Sequence, residues 1–415
     1  MPLHLEARDR AMLAGGDGDA TALAMKIVVS MAEVQGAANL RDISSAHIDS
    51  CLYHGRAGLD FAERLASGGA RVKVPTTLNV SSLDLLHPEL YRGPPETARE
   101  ARRLMDCYVQ MGCRATWTCA PYQLAERPAF GEHVAWAESN AIVFCNSVLG
   151  ARTDRYGDFM DICAAITGRV PDAGLHREEG RRGGIVFALE GVSPDTLGRD
   201  LLYPVLGHLV GRRCGDSVPV VEGLPHDTSE DRLKALGAAA ASSGAVALFH
   251  AVGVTPEAPR REDVADPDTP VERVRPDDLA AAAAELTSAA DDRLGAVCLG
   301  TPHASTAELT ALAASFQGRR AAVPVYVNTG RDVLRALPGP VTAALEASGV
   351  QIVTDTCTYI TPILGDVDGA VMTDSAKWAW YAPGNLGVDV VFATMHDCVE
   401  SAVSGRVVTD ERIWS

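Results

Sequence analysis

The stretch Gly295-Ala-Val-Cys298-Leu-Gly-Thr-Pro-His303-Ala-Ser305-Thr-Ala-Glu308 joins a short apolar run to a loop bearing Cys and His, and then to a helix start. Residues 295–297 suit a buried strand, and Ser305 with Glu308 three residues later is a capping-box pair. Strand, loop and helix in that order form the repeating unit of an open α/β sheet. In such sheets ligands converge on the loops that leave the carboxyl ends of the strands. Two more loops share the plan: 114–118 runs into Cys119-Ala-Pro-Tyr122, and 351–354 runs into Asp355-Thr-Cys357. If those ends face one another, Cys119, Cys298 and Cys357 form a three-thiolate site. Such a set suits an iron-sulfur cluster, where three sulfur ligands leave one iron open to substrate. Cys107, Cys163 and Cys398 read instead as reduced core thiols.

Outward from that unit, apolar runs alternate with Ala-rich helical stretches. Strands are expected at 71–74, 141–144, 184–189, 245–250 and 321–327, and helices at 22–35, 96–111, 231–243, 277–290 and 305–316. Pro276 suits a first-turn position before Asp277-Asp278. The alternation predicts a multidomain α/β protein of parallel sheets flanked by helices. The Gly-, Arg- and acid-rich 168–184 and the Pro- and charge-rich 255–276 read as exposed joins. They divide the chain into subdomains 1–165, 166–275 and 276–415.

At 415 residues with 47% hydrophobic content, the chain has ample material for buried cores. Its formal charge of −17 argues against nucleic acid or an anionic membrane surface as a partner. The opening Met1-Pro-Leu-His-Leu-Glu shows no secretory pattern, and no 18-residue uncharged apolar stretch occurs, so cytoplasmic residence is expected. Walker A, HExxH and GxSxG segments are all absent, which removes the usual routes to nucleotide hydrolysis, zinc proteolysis and serine hydrolysis.

Several other side chains carry usable chemistry. Asn79, in Pro75-Thr-Thr-Leu-Asn-Val80, offers an amide among hydroxyls, suited to orienting a small polar ligand or simply to capping a turn. Glu138 and Ser139 pair a carboxylate with a hydroxyl, and Glu138 suits ligand orientation or proton transfer. Arg152, in the loop expected after 145, could grip a carboxylate through its planar fork or make an interdomain salt bridge. His303 is placed for proton shuttling or as a structural donor. Lys377, in Thr373-Asp-Ser-Ala-Lys-Trp-Ala-Trp-Tyr, could face an anionic substrate or solvent.

Ala24-Met-Lys, Ser44-Ser-Ala-His-Ile-Asp49, Val74-Pro-Thr-Thr-Leu-Asn79, Thr118-Cys-Ala-Pro-Tyr122, Trp136-Ala-Glu-Ser139, Asn146-Ser-Val-Leu-Gly-Ala-Arg-Thr153, Pro302-His-Ala-Ser305 and Ala376-Lys-Trp-Ala-Trp-Tyr-Ala-Pro-Gly384 resemble, in order, the successive blocks of the aconitase X family. The resemblance spans residues 1–415 as the family's catalytic, large-subunit region. It implies an iron-sulfur hydro-lyase, 2Fe-2S or 4Fe-4S, with Cys119, Cys298 and Cys357 at the ligand positions. Glu138, Ser139, Asn79 and Lys377 fall on the family's substrate-pocket positions. The segment Ser50-Cys51-Leu52 falls there with a poorer match. Archaeal members that dehydrate mevalonate 5-phosphate carry a Gly-Val-Ser-like segment there and a Pro after the pocket Asn. This chain has Ser50-Cys51-Leu52 and Val80, which favours the bacterial branch that dehydrates cis-3-hydroxy-L-proline.

The family's small swivelling domain contributes a Ser-rich segment, and no Gly-Ser-Ser-Ser run occurs here, so a separate small subunit is expected. In the implied reaction the open iron polarises the C3 hydroxyl of a small hydroxy acid while a base, expected from the small subunit's Ser, takes the C2 proton. Lys377 and Arg152 would hold the carboxylate and Asn79, Glu138 and Ser139 the ring, with Glu138 or His303 protonating the departing oxygen. Mevalonate 5-phosphate is the alternative substrate. A non-catalytic protein whose three Cys hold structural zinc, or nothing, is the alternative class.

Overall fold

The structure, a computed structural model, describes residues 3–290 and 292–410. Three parallel sheets succeed one another along the chain, as the alternating pattern predicts. The first orders Thr76–Leu78, Ala46–Ile48 and Ala135–Trp136. The second orders His250–Ala251, Val218–Glu222, Gly183–Leu189 and Val271–Val274. The third orders Val350–Val353, Val325–Thr329, Leu294–Ala304, Ala370–Thr373 and Val390–Phe392. A short antiparallel pair, Leu40–Asp42 with Arg169–Pro171, ties the ends of the first region together.

The third sheet decides where a site can be. Its chain enters in the middle at Leu294–Ala304, steps twice toward one edge, then returns on the other side at Ala370–Thr373. At such a reversal the connections leave on opposite faces and open a crevice at the carboxyl ends of the two strands. The second sheet repeats the reversal between Gly183–Leu189 and Val271–Val274.

Most long helices lie where their apolar spacing puts them: Asp19–Val34, Pro95–Gln110, Glu230–Gly244 and Thr306–Phe316. The Ser305 hydroxyl accepts from Glu308 N at 3.2 Å while the Glu308 carboxylate accepts from Ser305 N at 2.8 Å, so the capping box is formed. Pro276 opens its helix, which stops at Ala284, short of the expected 290.

Other expectations fail for physical reasons. Residues 141–144 belong to the helix Ser139–Ser147, buried at every position from Asn140 onward; a short, all-apolar run has no period to distinguish helix from strand. Cys145 to Ser147 therefore end a helix, not a strand. Residues 71–74 are not a strand, and that sheet edge begins at Thr76. Residues 114–118 form no strand either, but run beside Thr76–Leu78 through Arg114 N to Thr76 O (2.8 Å) and Thr118 N to Leu78 O (3.1 Å). Of 245–250 only His250 is paired, and the strand expected at 321–327 starts at Val325. The join 255–276 carries its own helix, Arg261–Val264, and strand, Val271–Val274.

Two contacts show how tightly neighbouring elements pack. Helices Leu202–Arg213 and Glu230–Gly244 touch backbone to backbone: a Cβ on Gly207 would lie 2.1 Å from the Leu236 carbonyl oxygen. Gly207→Ala is expected to cost about 1–3 kcal/mol in chemical denaturation, since the backbones must separate. Unchanged stability would mean that the helices stand farther apart. Lys234 is buried between Asp231 (3.0 Å) and Glu308, joining a helix of the second region to a helix start of the third. Removing this cation leaves two carboxylates facing each other. Because both carboxylates are about one-third exposed, Lys234→Met is expected to lose about 1–3 kcal/mol of stability, read from the shift in denaturation midpoint.

Candidate active site

The first sheet presents a polar edge to the third. Parallel register pairs His47 with Thr77 and with Trp136, and side chains two residues on return to the same face. Asp49, Asn79 and Glu138 therefore stand in one row at the carboxyl end. Backbone bonds from Asn79 N to Ile48 O and from Ala137 N to His47 O, each 2.9 Å, carry the register to this row.

Glu138 sits at φ 72°, a left-handed conformation that costs a non-glycine residue energy and marks sites where surroundings enforce the geometry. Here it caps the helix Ser139–Ser147. Its carboxylate accepts from Ala141 N (2.8 Å), Asn140 Nδ2 (2.9 Å) and Ser139 Oγ (3.2 Å). Opposite stands Lys377, in the first turn of Ala376–Leu386, the helix that follows Ala370–Thr373 at the reversal of the third sheet. Lys377 Nζ donates to Glu138 Oε1 and approaches Ser139 Oγ at 3.4 Å. Both charged side chains are buried, at 3% and 7% exposure, so the pair is shielded from solvent. Burial works against the charge on each partner, and mutual attraction overrides it. The Glu138 carboxyl is thereby held below its ordinary value and the Lys377 ammonium above its own.

Beside this pair lie Cys119, His303 and Cys357, all buried, with their ligand atoms within 4.8 Å of one another. They come from two regions, Cys119 from the loop after 118 and the others from the third sheet. His303 N donates to Cys119 Sγ at 3.3 Å. His303 Nδ1 meets Thr118 Oγ1 at 3.0 Å and Nε2 meets the Thr356 carbonyl at 3.2 Å, so both ring nitrogens are engaged. The Cys357 thiol is pushed well above its ordinary value, first by its bond with Cys119 and then by burial. A buried thiol that resists losing its proton, as Cys357 does, is relieved by a bound cation, because coordination deprotonates it. Two soft sulfurs buried together, with the His303 imidazole braced beside them, fit a transition-metal or iron-sulfur centre.

Cys298 stands apart from that compact group. It lies within the strand Leu294–Ala304, opposite Tyr326, not just beyond the strand, and is bonded to Thr358. Of the three expected thiols the structure thus brings two into one group with His303, and leaves Cys298 outside it. Strain accompanies two of them: Trp117 (φ 45°) and Asp355 (φ 61°), left-handed non-glycine residues, precede Cys119 and Cys357 by two residues, while Gly300 (φ 74°), two beyond Cys298, adopts such a turn freely. Asp355 is clamped by Arg331, at 2.5 and 2.6 Å, and its carbonyl accepts from Ser81 N at 2.6 Å, which fixes the turn that aims Cys357.

The remaining candidates divide. Asn79 lies in the polar row and donates to Asp49. Ser50 is tied instead to Asp161 (2.8 Å) and Tyr108 (2.6 Å). The Cys51 thiol donates to the carbonyls of Ile48 and Asn79 at 3.4 Å each, bracing the row from behind. Leu52 is buried, and Val80 packs in the apolar cluster that also holds Cys119 and Cys357. Arg152 is engaged by Glu178 and the His176 carbonyl (3.4 Å) and is not gathered with Lys377. Sequence reading missed Asp49, His47 and Asn140. The alternation in His47-Ile-Asp49 was the available signal for the first two. A cavity of about 620 Å³ opens at the carboxyl ends of the third sheet, lined by Gly300, Thr301, Asp374, Ser375 and Lys377 on one side and by Lys234 on the other.

Three sequence models of aconitase X domains match the chain: the first domain over residues 2–179, the second over 184–284 and the third over 294–404. Similar curated proteins include a Pseudomonas aeruginosa cis-3-hydroxy-L-proline dehydratase, 44% identical over 99% of this chain and 72% of its own length. Another is the Hypocrea jecorina cis-3-hydroxy-L-proline dehydratase, 40% identical over 98% of this chain and 69% of its own. A Methanothermobacter thermautotrophicus phosphomevalonate dehydratase large subunit is 38% identical over 94% of this chain and 96% of its own. The crystal structure of Thermococcus kodakaraensis aconitase X in its holo-form superposes with a TM-score of 0.87 at 31% identity, covering 96% of this chain and 100% of that one. Sequence blocks, sheet order and relatives agree: the chain belongs to the aconitase X family and is a hydro-lyase.

Proposed function

We propose that this chain is the catalytic large part of an iron-sulfur dehydratase that removes water from cis-3-hydroxy-L-proline. The observation that carries the reading is the meeting of Cys119, Cys357 and His303 beside the buried Glu138–Lys377 pair, in a chain 44% identical to a dehydratase named for that substrate. Cys119 and Cys357, with Cys298 as third thiolate, would hold the cluster. When bound, it supplies a Lewis acid for the C3 hydroxyl.

The chain's own residues do the rest. Lys377 offers its ammonium to the substrate carboxylate, and Glu138 keeps that ammonium charged in a dry site. Ser139 and Asn79 orient the ring. His303, with both nitrogens bonded, steadies the cysteine loops instead of carrying a proton. In the net reaction the C2–H bond breaks and its electron pair forms the C2=C3 double bond as hydroxide leaves C3. Hydroxide combines with a proton as water, and the enamine tautomerises to pyrroline-2-carboxylate. The base at C2 comes from a small swivelling partner, a reading supported by relatives named as large subunits. Full turnover by this chain alone would remove that partner from the account.

Mevalonate 5-phosphate is the second reading, favoured by the 38% identity to a phosphomevalonate dehydratase large subunit. Ser50-Cys51-Leu52 and Val80, which stand where the archaeal phosphomevalonate members carry a Gly-Val-Ser-like segment and a Pro, oppose it. Both substrates are to be offered to anaerobically co-expressed, iron-reconstituted enzyme. Turnover of the hydroxyproline is expected; turnover of the phosphate ester alone would reverse the assignment. Cytoplasmic residence fits ten unpaired cysteines, and among the described residues no helix is long and apolar enough to cross a membrane.

A further inference from the structure

We propose that Asp49, Asn79 and His47 form a subsite for the ring ammonium of the substrate, and so select a cationic amino acid over hydroxy acids without an amine. The inference rests on the proposed amino-acid substrate and goes beyond it by naming the group that the pocket reads. All three side chains point to the face of the first sheet that carries Glu138, by the register of Ala46–Ile48 with Thr76–Leu78 and Ala135–Trp136.

Two of the three are buried acceptors left open. Asn79, 2% exposed, gives its amide NH to Asp49, and its Oδ1 has no hydrogen-bond partner among the described residues. His47, fully buried, meets Thr77 Oγ1 at 2.8 Å through Nδ1, while its Nε2 has no partner among the described residues. With the Ala46 carbonyl 3.4 Å away as a second acceptor, the Thr77 hydroxyl is placed to donate there and to accept from His47 Nδ1–H. That tautomer leaves Nε2 as a bare lone pair. Buried polar atoms without partners are rare and mark a missing ligand more often than a tolerated cost.

The third group supplies the charge. Asp49 has no cationic partner among the described residues, while Glu138, Asp158 and Asp161 add negative potential around it. Burial first, and the Glu138 charge second, push its carboxyl up to about 8, the behaviour of an acid denied a counter-ion. A secondary ammonium supplies that counter-ion and two N–H donors. One fits the Asp49 carboxylate and the other Asn79 Oδ1, with the His47 lone pair turned to the same positive charge. Lys377, across the row, takes the substrate's carboxylate, so an amino acid's opposite charges are read at opposite ends.

Calorimetry on the cluster-loaded enzyme with its small partner, using L-proline and tetrahydrofuran-2-carboxylate as probes, tests this directly. The second probe replaces the ring nitrogen by oxygen and keeps the carboxylate. Wild type is expected to bind L-proline at least about tenfold tighter. Asp49→Asn is expected to weaken L-proline to near the level of the oxygen probe and to leave that probe unchanged. Equal binding of the two probes by wild type would overturn the proposal without recourse to any variant. So would a variant that weakens both probes alike. If the preference for L-proline holds and depends on Asp49 while cis-3-hydroxy-L-proline is not turned over, the subsite stands and the substrate assignment fails. If turnover occurs and the preference ignores Asp49, the subsite alone fails.

Discussion

Cys119→Ser is expected to lower turnover by more than about 100-fold and to remove the visible sulfur-to-iron absorption of the reconstituted enzyme, with the fold intact. A hydroxyl is a harder, poorer ligand than thiolate and has no reason to lose its proton in this buried site. Cys119 bridges two regions: its sulfur accepts the His303 NH and its carbonyl accepts Asn140 Nδ2 at 2.6 Å. The carbonyl bond survives the substitution, so circular dichroism and the denaturation midpoint are expected to change little. A variant that keeps both absorption and turnover would show that this sulfur holds no metal, and would revive a non-catalytic or structural role for the thiols.

Lys377→Met is expected to cost about 3–5 kcal/mol of stability, because it leaves the buried Glu138 carboxylate without its cation. Turnover is expected to fall by about 10–100-fold, the loss of one charge-assisted bond of about 1.5–3 kcal/mol to the substrate. The double variant Glu138→Gln with Lys377→Met separates the two effects. It removes both charges, so most of the stability is expected to return while turnover does not. Glu138 is held below its ordinary value, so the pair's contribution is full above that value and is lost as pH falls through the folded-state value. The stability gap between wild type and double variant is therefore expected to narrow toward acid. A single variant as stable and as active as wild type would contradict a buried pair at the reacting centre.

The order of strands and helices was legible where a period existed. The 3.6-residue spacing of 22–35 and 96–111 and the Ser305–Glu308 cap are local signals, and each gave its helix. The 141–144 run misled because Ile and Val favour strands in isolation, whereas here the Glu138 cap and burial on all sides make a helix. The placement of the candidate residues was legible where they follow strands, as Asn79, Cys357 and Lys377 do. For Arg152 the sequence left a carboxylate grip and a salt bridge both open, because a fork-shaped cation after a polar loop looks the same in either, and the structure pairs it with Glu178. Asp49 and His47 were hidden because their place in the polar row arises from parallel register with strands 30 and more residues away. Cys298 was expected just beyond a strand and lies within one, because the run 295–297 gives no signal of how far the strand continues; it is not a member of the Cys119–His303–Cys357 group.

The most direct measurement is turnover of cis-3-hydroxy-L-proline against bound iron per chain, in enzyme anaerobically reconstituted with its small partner and stripped in steps by chelation. The account predicts pyrroline-2-carboxylate formation that rises in proportion to iron and vanishes without it. Undiminished turnover in iron-free enzyme, or none in fully loaded enzyme, would contradict dehydration at a thiol-held metal centre.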